Sequence, residues 1–439
     1  MNAPLSTTER IEAAVAAMGP DALTEAGLST HVARLFARTL GETRDLVYLA
    51  NHSLGRPLDA VEDDVREGIA AWYARLGGAW DAWSDEMEAF RTRLALLMNA
   101  ARADCIAPKT SAGQGLRAIL NTYDTKLRIV ATRGEFDSLD VILREYARRD
   151  RIALTLVEAR DDGRIDTTDI VEAVGRKVDL VVVSEVLFNT GQRLAGLNEI
   201  VAATHRAGGR VLLDVYHSLG VFPVDVTALD VDFAVGGSYK YLRGGPGACF
   251  LYLHPRHLTG VLRTLDIGWF AKHDPFSYAR PDPPAFAEGG DAFLESTPPV
   301  LTWYQARAGQ VLVRALGPAR VRAYSLEQQR TLVDLLGRHG IAARGGDEDH
   351  GAFVVIDHPR AVALSRSLRA HGIATDARGR NLRLCPDVVT TADDLVRAAE
   401  ALARLGRDAS PVAVAMMMRT IASSVRTNTA ARITPTMIT

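Results

Sequence analysis

The chain has 439 residues, 47% of them hydrophobic, with 51 Lys and Arg set against 53 Asp and Glu. That length supports a large core and two or three domains, and a formal charge of −2 excludes a broad nucleic-acid or anionic-membrane surface. Three cysteines, Cys105, Cys249 and Cys385, lack CxxC spacing, so neither a disulfide framework nor a zinc site is expected, and a reducing cytoplasm is the natural setting.

The opening stretch MNAPLSTTERIEAAV has no apolar signal core, and no run of about 18 apolar residues occurs to span a membrane. Residues 1–45 read as a helical segment, with Val15, Leu23 and Leu35 at helical spacing. The same period runs through 59–76 in Val61, Val65, Ile69, Trp72 and Leu76, and Asp59 followed by Glu62 predicts a capping box. From about 127 short β-rich runs alternate with helical stretches: RIVAT (128–132), ALTLV (153–157), DLVVVS (179–184), RVLLD (210–214), DFAVG (232–236) and CFLYL (249–253). The first four are nearly continuous in apolar residues, as strands buried on both faces are. Helices are predicted near 138–148, 168–175 and 197–207. Such alternation implies a mainly parallel sheet between helices, with ligands at the carboxyl ends of its strands. Residues 255–300 are Pro-rich and loop-like, 302–340 read helical, and 352–405 alternate strand and helix as a smaller C-terminal α/β domain. The predicted organisation is an N-terminal helical segment (1–45), a large domain (46–305), a small domain (306–405) and a disordered tail (406–439).

Three places carry chemistry. Lys240 follows a strand and precedes a glycine-rich turn. A lysine there is either an ordinary surface residue or, in a desolvated pocket, a nucleophile that gives up its proton readily. Asp214 ends an apolar strand, with His217 three residues on. A buried acid needs a partner, either the following turn or a bound cation such as a protonated pyridine nitrogen. APKTSAGQGLRAIL (107–120) puts Thr110 and Ser111 at the start of an apolar helix. That is an N-cap or a phosphate site, and it is neither a Walker loop nor GxGxxG. Together the three suit pyridoxal 5'-phosphate: a lysine for its aldehyde, an acid for its ring nitrogen, a helix start for its phosphate.

Ordered segments then resemble kynureninase, within the class V aminotransferase group of fold type I pyridoxal-phosphate enzymes: NHSLG (51–55), NTGQ (189–192), DVYHSLGVFPVDV (214–226), VDFAVGGSYKYLRGGPGACFLY (231–252), GWF with HDPF (268–276) and STPPVL (296–301). The resemblance runs from about 45 to about 400. It implies that fold, with a large domain holding a seven-stranded, mainly parallel sheet. It implies Lys240 as the imine-forming lysine, Asp214 at the pyridine nitrogen and His217 beside the ring. Tyr239, Thr110 and Ser111 would bind phosphate, Phe136 would stack on the ring, and Ser184 would be a further cofactor-side residue. Trp269 and Thr297 look like residues reaching the phosphate from a second subunit, implying a homodimer with shared active sites. Arg383, in NLRLCP, resembles the arginine that grips a substrate α-carboxylate, a task suited to a bidentate fork. The implied activity is hydrolytic Cβ–Cγ cleavage of kynurenine or a related amino acid. β-Elimination, epimerisation or transamination of another amino acid is the alternative on the same fold. The substrate half departs from the family pattern: FDSL stands where FPTD or FPSD is usual, so Leu139 takes the acid's place with Asp140 one position late. Asn189, Tyr216, TSAGQG and GGAWDAW (77–83) depart too.

Overall fold

The computed structural model describes residues 5–408. The N-terminal segment is helical in pieces, α1 (Thr7–Ala16), α2 (Glu25–Gly27) and α3 (Ala37–Glu42). A capping box opens α1: Ser6 Oγ accepts the Glu9 N–H while the Ser6 N–H donates to the Glu9 carboxylate. The box expected at Asp59 does not form. Asp59 has helical backbone angles, its carboxylate accepts the Arg38 N–H at 3.0 Å, and Glu62 is drawn to Arg38 and Arg66.

Asp59 precedes α4 (Ala60–Arg75), which lies before α5 (Ala79–Met98). The apolar stripe of α4 does not face the core. Trp72 and Leu76 are 60% and 70% exposed, and Val61, Val65 and Ile69 are half-buried. The buried positions are Asp64 and Gly68. Asp64 is drawn inward by Arg307 at 3.2 Å and by the Thr7 hydroxyl at 2.8 Å, and a Cβ on Gly68 would come within 2.8 Å of the Tyr304 ring. Charge pairing and close approach of a helix, rather than apolar period, set this orientation.

The seven strands of the main sheet lie between residues 106 and 253, after the two-residue strand β1 (Val47–Tyr48). In chain order they alternate with helices: β2 (Ile106–Lys109), α6 (Ala112–Leu120), β3 (Leu127–Thr132), α7 (Asp137–Arg148), β4 (Ile152–Val157), α8 (Thr167–Val174), β5 (Leu180–Ser184), α9 (Leu197–Arg206), β6 (Arg210–Asp214), β7 (Phe233–Gly237) and β8 (Cys249–Leu253). Their order is β2-β8-β7-β6-β5-β3-β4, with β8 antiparallel to both neighbours and every other pairing parallel. Successive residues of β5 feed opposite faces. Val181 and Val183 join the core on one side, and Leu180 and Val182 join the core on the other. Helices cover both faces, so the strand has no wet side and reads as an unbroken apolar run. The edge strand β2 went unforeseen because IAPK carries Pro108, a residue a sheet accepts only at its edge.

Helices α10 (Leu301–Leu316) and α11 (Pro318–Arg338) break at Gly317, whose φ of 81° a residue with a Cβ rarely adopts. A three-stranded antiparallel sheet closes the chain: β9 (Val354–Asp357), then β11 (Asp376–Arg378) and β12 (Asn381–Leu384), ordered β11-β12-β9. Helices α12 (Ala361–Ala370) and α13 (Ala392–Asp408) pack with it around a separate core. Strand β10 (Ile373–Ala374) pairs with β1 and ties this region to the NHSLG stretch. Because α13 runs to Asp408, the first three residues of the predicted tail are helical; the remainder, 409–439, lies outside the described residues. Among the described residues no helix is long and apolar enough to cross a membrane.

Candidate active site

The carboxyl ends of the parallel strands and the turn after β7 enclose a cavity of about 170 Å³. Eight residues singled out from sequence meet there: Asp214 from the end of β6 and His217 just beyond it, Tyr239 and Lys240 from the turn after β7, Thr110 and Ser111 from the start of α6, Phe136 from the turn after β3 and Ser184 from the end of β5. Strand β6 delivers Asp214 to the cavity because the three residues before it, Val211, Leu212 and Leu213, are core, and Lys240 lies three residues beyond β7. The lysine turn is pinned from outside. The Gly55 N–H donates to the Tyr239 carbonyl at 2.8 Å, and a Cβ on Gly55 would sit 2.1 Å from the Lys240 carbonyl oxygen. Only glycine fits there, which accounts for the last residue of NHSLG.

Lys240 Nζ lies 2.8 Å from His217 Nε2 and about 5–6 Å from the ring centres of Phe136, Tyr216 and Tyr239. Burial pulls the ammonium well below the ordinary lysine value, and the Asp214 charge restores only part of it. Burial likewise raises the Asp214 carboxyl, against the lowering effect of the Tyr216 N–H that donates to its Oδ1 at 2.8 Å and of Lys240. His217 is held far below its usual range by burial and by the Lys240 charge, so its ring is neutral. Nε2 then accepts from Nζ, and Nδ1 is buried without a partner.

Ser111 is the N-cap of α6, its hydroxyl accepting the Gln114 N–H at 3.1 Å, so the plain capping role is real. The Thr110 N–H and hydroxyl are not idle either: both donate to Gln114 Oε1, at 2.7 and 3.1 Å. A neutral side-chain oxygen thus fills the seat that the helix start would offer an anion.

Three expected residues stand away from the cavity wall. Arg383 is 2% exposed; its guanidinium donates to the Phe188 carbonyl and the Asp376 carboxylate, and its Nε has no partner. Phe188 lines the cavity, so Arg383 sits one residue behind the wall. Trp269 and Thr297 do not line their own chain's cavity. Trp269 Nε1 donates to the Pro275 carbonyl at 2.6 Å, and exposed Thr297 borders an adjoining hollow of about 140 Å³ that shares Thr110. Of the departures from the family pattern, Leu139 is fully buried core, Asp140 pairs with Arg144 on the surface of α7, and Ser138 is the member of that stretch that reaches the cavity.

Sequence reasoning missed part of the wall. Tyr216 lines it, its hydroxyl 2.8 Å from Cys249 Sγ, and Phe188 closes it, edge-on to Phe136. Glu135 lies just behind it, accepting hydroxyl hydrogens from Thr132 and Ser184 at 2.6 Å each. An acid three residues beyond an apolar strand and just before Phe136 was the available signal for Glu135; Phe188 and Cys249 had none beyond hydrophobicity. The residues present fit pyridoxal phosphate: a buried low-pKa amine, a buried acid without a salt-bridged cation, an unpartnered histidine nitrogen, and a helix start whose donors hold a replaceable oxygen.

Comparisons with known proteins agree with this picture. The aminotransferase class-V family profile matches residues 62–383. Kynureninase of Bacillus anthracis is 28% identical over 242 residues, 53% of this chain and 56% of that protein, so the chain spans little more than half the length of that relative. Kynureninase of Geobacillus thermodenitrificans is 26% identical over 367 residues, covering 79% of this chain and 84% of that one. Among solved structures, the cystine C–S lyase C-DES with its product cysteine persulfide superposes with a TM-score of 0.74 at 21% identity, over 83% of this chain and 99% of its own. The cysteine desulfurase CsdA of Escherichia coli gives 0.74 at 18%, over 88% and 98%. At those identities the likeness is one of fold.

Proposed function

The chain belongs to the aminotransferase class-V family of pyridoxal-phosphate-dependent enzymes, and from that premise we propose that it is a kynureninase-like hydrolase. Its substrate would be kynurenine or a related γ-keto α-amino acid, split by water at the Cβ–Cγ bond into alanine and a carboxylic acid; kynurenine would yield anthranilate. The observation that carries this reading is the buried Lys240 amine, 2.8 Å from a neutral His217 and facing Asp214, in a chain whose motifs follow the order of kynureninases.

When bound, the cofactor supplies an electrophilic carbon for the amine and a ring that accepts the electrons of the broken Cα–H bond. The protein's part is proton traffic and orientation. Lys240 Nζ, which gives up its own proton readily because it is buried, would take the α-proton and hold it as the ammonium for return. His217 Nε2 holds Nζ in place as an acceptor. Asp214 stays anionic when a cationic ring nitrogen faces it, which reverses the rise that burial imposes. Thr110 and Ser111 take the phosphate, and Phe136 covers the ring. The substrate carboxylate goes to Arg383 through its unpartnered Nε, which requires Phe188 to yield. Trp269 and Thr297, outside their own cavity, serve the site of a second copy in a homodimer, and a reducing cytoplasm suits three free, buried cysteines.

A second reading keeps the cofactor and changes the later steps to β-elimination, epimerisation or transamination of a small amino acid. Its support is the size of the cavity, about 170 Å³ against roughly 300–1,000 Å³ for common small-molecule sites. Desulfuration has less support, because Cys249, the only cysteine lining the cavity, is fixed on β8 and hydrogen-bonded to Tyr216. The test is to incubate the yellow holoenzyme with kynurenine and record anthranilate fluorescence. Anthranilate formation supports hydrolysis. Its absence, with absorbance changes on small amino acids, supports the second reading. A protein that neither colours with the cofactor nor gains mass on borohydride reduction overturns both.

A further inference from the structure

Glu135 has no part in the reaction as described, yet it is 3% exposed and lies directly behind the cavity wall. Thr132 Oγ1 donates to its Oε1 and Ser184 Oγ to its Oε2, each at 2.6 Å. The groups facing it are the two hydroxyls, on β3 and β5, and the Asp214 carboxyl on β6, whose Cα is the register partner of Ser184; Lys240 and His217 line the same cavity. Among the described residues no cation forms a salt bridge with it. Burial therefore lifts the carboxyl to about 7; the nearby Asp214 charge adds to the rise, and the hydrogen bonds from the two hydroxyls and the Ser184 N–H oppose it.

A serine hydroxyl has one hydrogen to give. While Glu135 is anionic, the hydrogen of Ser184 belongs to Glu135, and Ser184 turns only lone pairs toward the cavity. Once Glu135 carries a proton it can donate to Ser184 Oγ, and the serine hydrogen is released to point at a ligand. Resting on the cofactor reading, we propose that Glu135 is a positioning residue that acts through Ser184: its proton decides whether the cavity wall offers the bound cofactor a donor or an acceptor. The cofactor is an anion rich in acceptor oxygens, so it favours the donor form, and binding draws a proton onto Glu135.

The experiment uses 4-deoxypyridoxine 5'-phosphate, an analogue that cannot form the imine, titrated calorimetrically into cofactor-free protein between pH 5.5 and 8.5. In wild type, affinity falls as pH rises above about 7, approaching tenfold per pH unit relative to Glu135→Gln. Glu135→Gln, whose amide always has a hydrogen for Ser184, keeps the low-pH affinity throughout. Ser184→Ala removes the step, and Glu135→Gln adds nothing in that background. A step that survives in Ser184→Ala overturns the relay and leaves only direct charge repulsion; the same pH dependence in wild type and Glu135→Gln overturns the proposal outright. Should the variants not fold, wild type titrated in two buffers of different ionisation enthalpy at pH 7.5 must show proton uptake on binding, and no uptake overturns the proposal. An analogue that binds wild type at no pH overturns the cofactor reading as well.

Discussion

Asp214 and Asp232 lie at opposite edges of the same sheet, one closing β6 and the other leading into β7, and both are buried. Burial alone would raise the carboxyl of either. At Asp232 hydrogen bonds from His257, His205 and the Val211 N–H, with Arg256 at 3.2 Å, outweigh burial and hold it at about 2. At Asp214 one N–H and the Lys240 charge leave burial in control. One edge closes its charge with its own side chains; the other, with Glu135 and a lowered Lys240, leaves charges uncompensated. Ionisable groups held off their normal values in a cleft mark a functional site, and here the missing counter-charges are those a cationic ring and an anionic phosphate would bring.

The largest effect expected from breaking this contrast is at Lys240. Lys240→Ala should lower turnover by about 10²–10⁴-fold and abolish the borohydride-fixed cofactor mass on that peptide, without lowering the melting temperature, since the buried amine it removes forms no salt bridge among the described residues and is costly to bury. Next come the two aspartates. Asp232→Asn should cost about 3–5 kcal/mol in urea unfolding, because it removes the buried charge that takes three hydrogen bonds, from His205, His257 and the Val211 N–H, while turnover per folded molecule holds. Asp214→Asn should do the reverse: stability within about 1 kcal/mol of wild type and turnover down at least about a hundredfold. Equal destabilisation by both substitutions would erase the distinction between the two edges.

The pH dependence of the cofactor-free protein sharpens the contrast further. Asp232 is depressed when folded, so its stabilisation is complete above about pH 4 and is lost as pH falls toward 2. Glu135 is raised, so the folded chain holds its proton more tightly. Its destabilisation is absent below about 4.5, grows as pH rises to about 7, and is constant beyond. His52 and His217, kept neutral by burial, tilt the total the other way below 6.5, so the quantity to measure is the difference between wild type and Glu135→Gln. That difference should swing against wild type by on the order of 3 kcal/mol between pH 4.5 and 7.5 in denaturant titrations.

Much of this was readable from sequence because one physical rule governed it. Strands buried on both faces write continuous apolar runs, and the residues ending them, Ser184, Asp214 and Lys240 just beyond β7, fall at the sheet's ligand-binding edge. Where two rules compete, the sequence misleads. The apolar period of α4 predicted which face it buries, but Asp64 paired with Arg307, and Gly68 under the Tyr304 ring, turned that stripe outward. Pro108 disguised an edge strand. Arg383 was found by its motif, yet nothing local indicates that Asp376, seven residues upstream and its register partner across a hairpin, holds its guanidinium. Glu135 faces Ser184 through a contact spanning 49 residues, which no periodicity reports.

The smallest effect concerns the helix start. In most helices the donors of the first turn face water or a cap; here the Thr110 N–H and hydroxyl both point at Gln114 Oε1, a neutral acceptor that the chain itself supplies. A phosphate can take those donors only by moving that amide aside. Gln114→Ala removes the competitor while Ser111 keeps capping α6, so the cofactor-free protein should bind inorganic phosphate, and the holoenzyme its cofactor, more tightly by less than about tenfold, the worth of one or two neutral hydrogen bonds. Calorimetry with inorganic phosphate reads this directly. Weaker binding in Gln114→Ala would mean that the amide nitrogen turns to donate to the anion, making the uncompensated donors of this edge fewer than the geometry around Thr110 indicates. Either sign separates this edge, whose partners are exchangeable, from the Asp232 cluster, where no substitution should improve the affinity for any ligand.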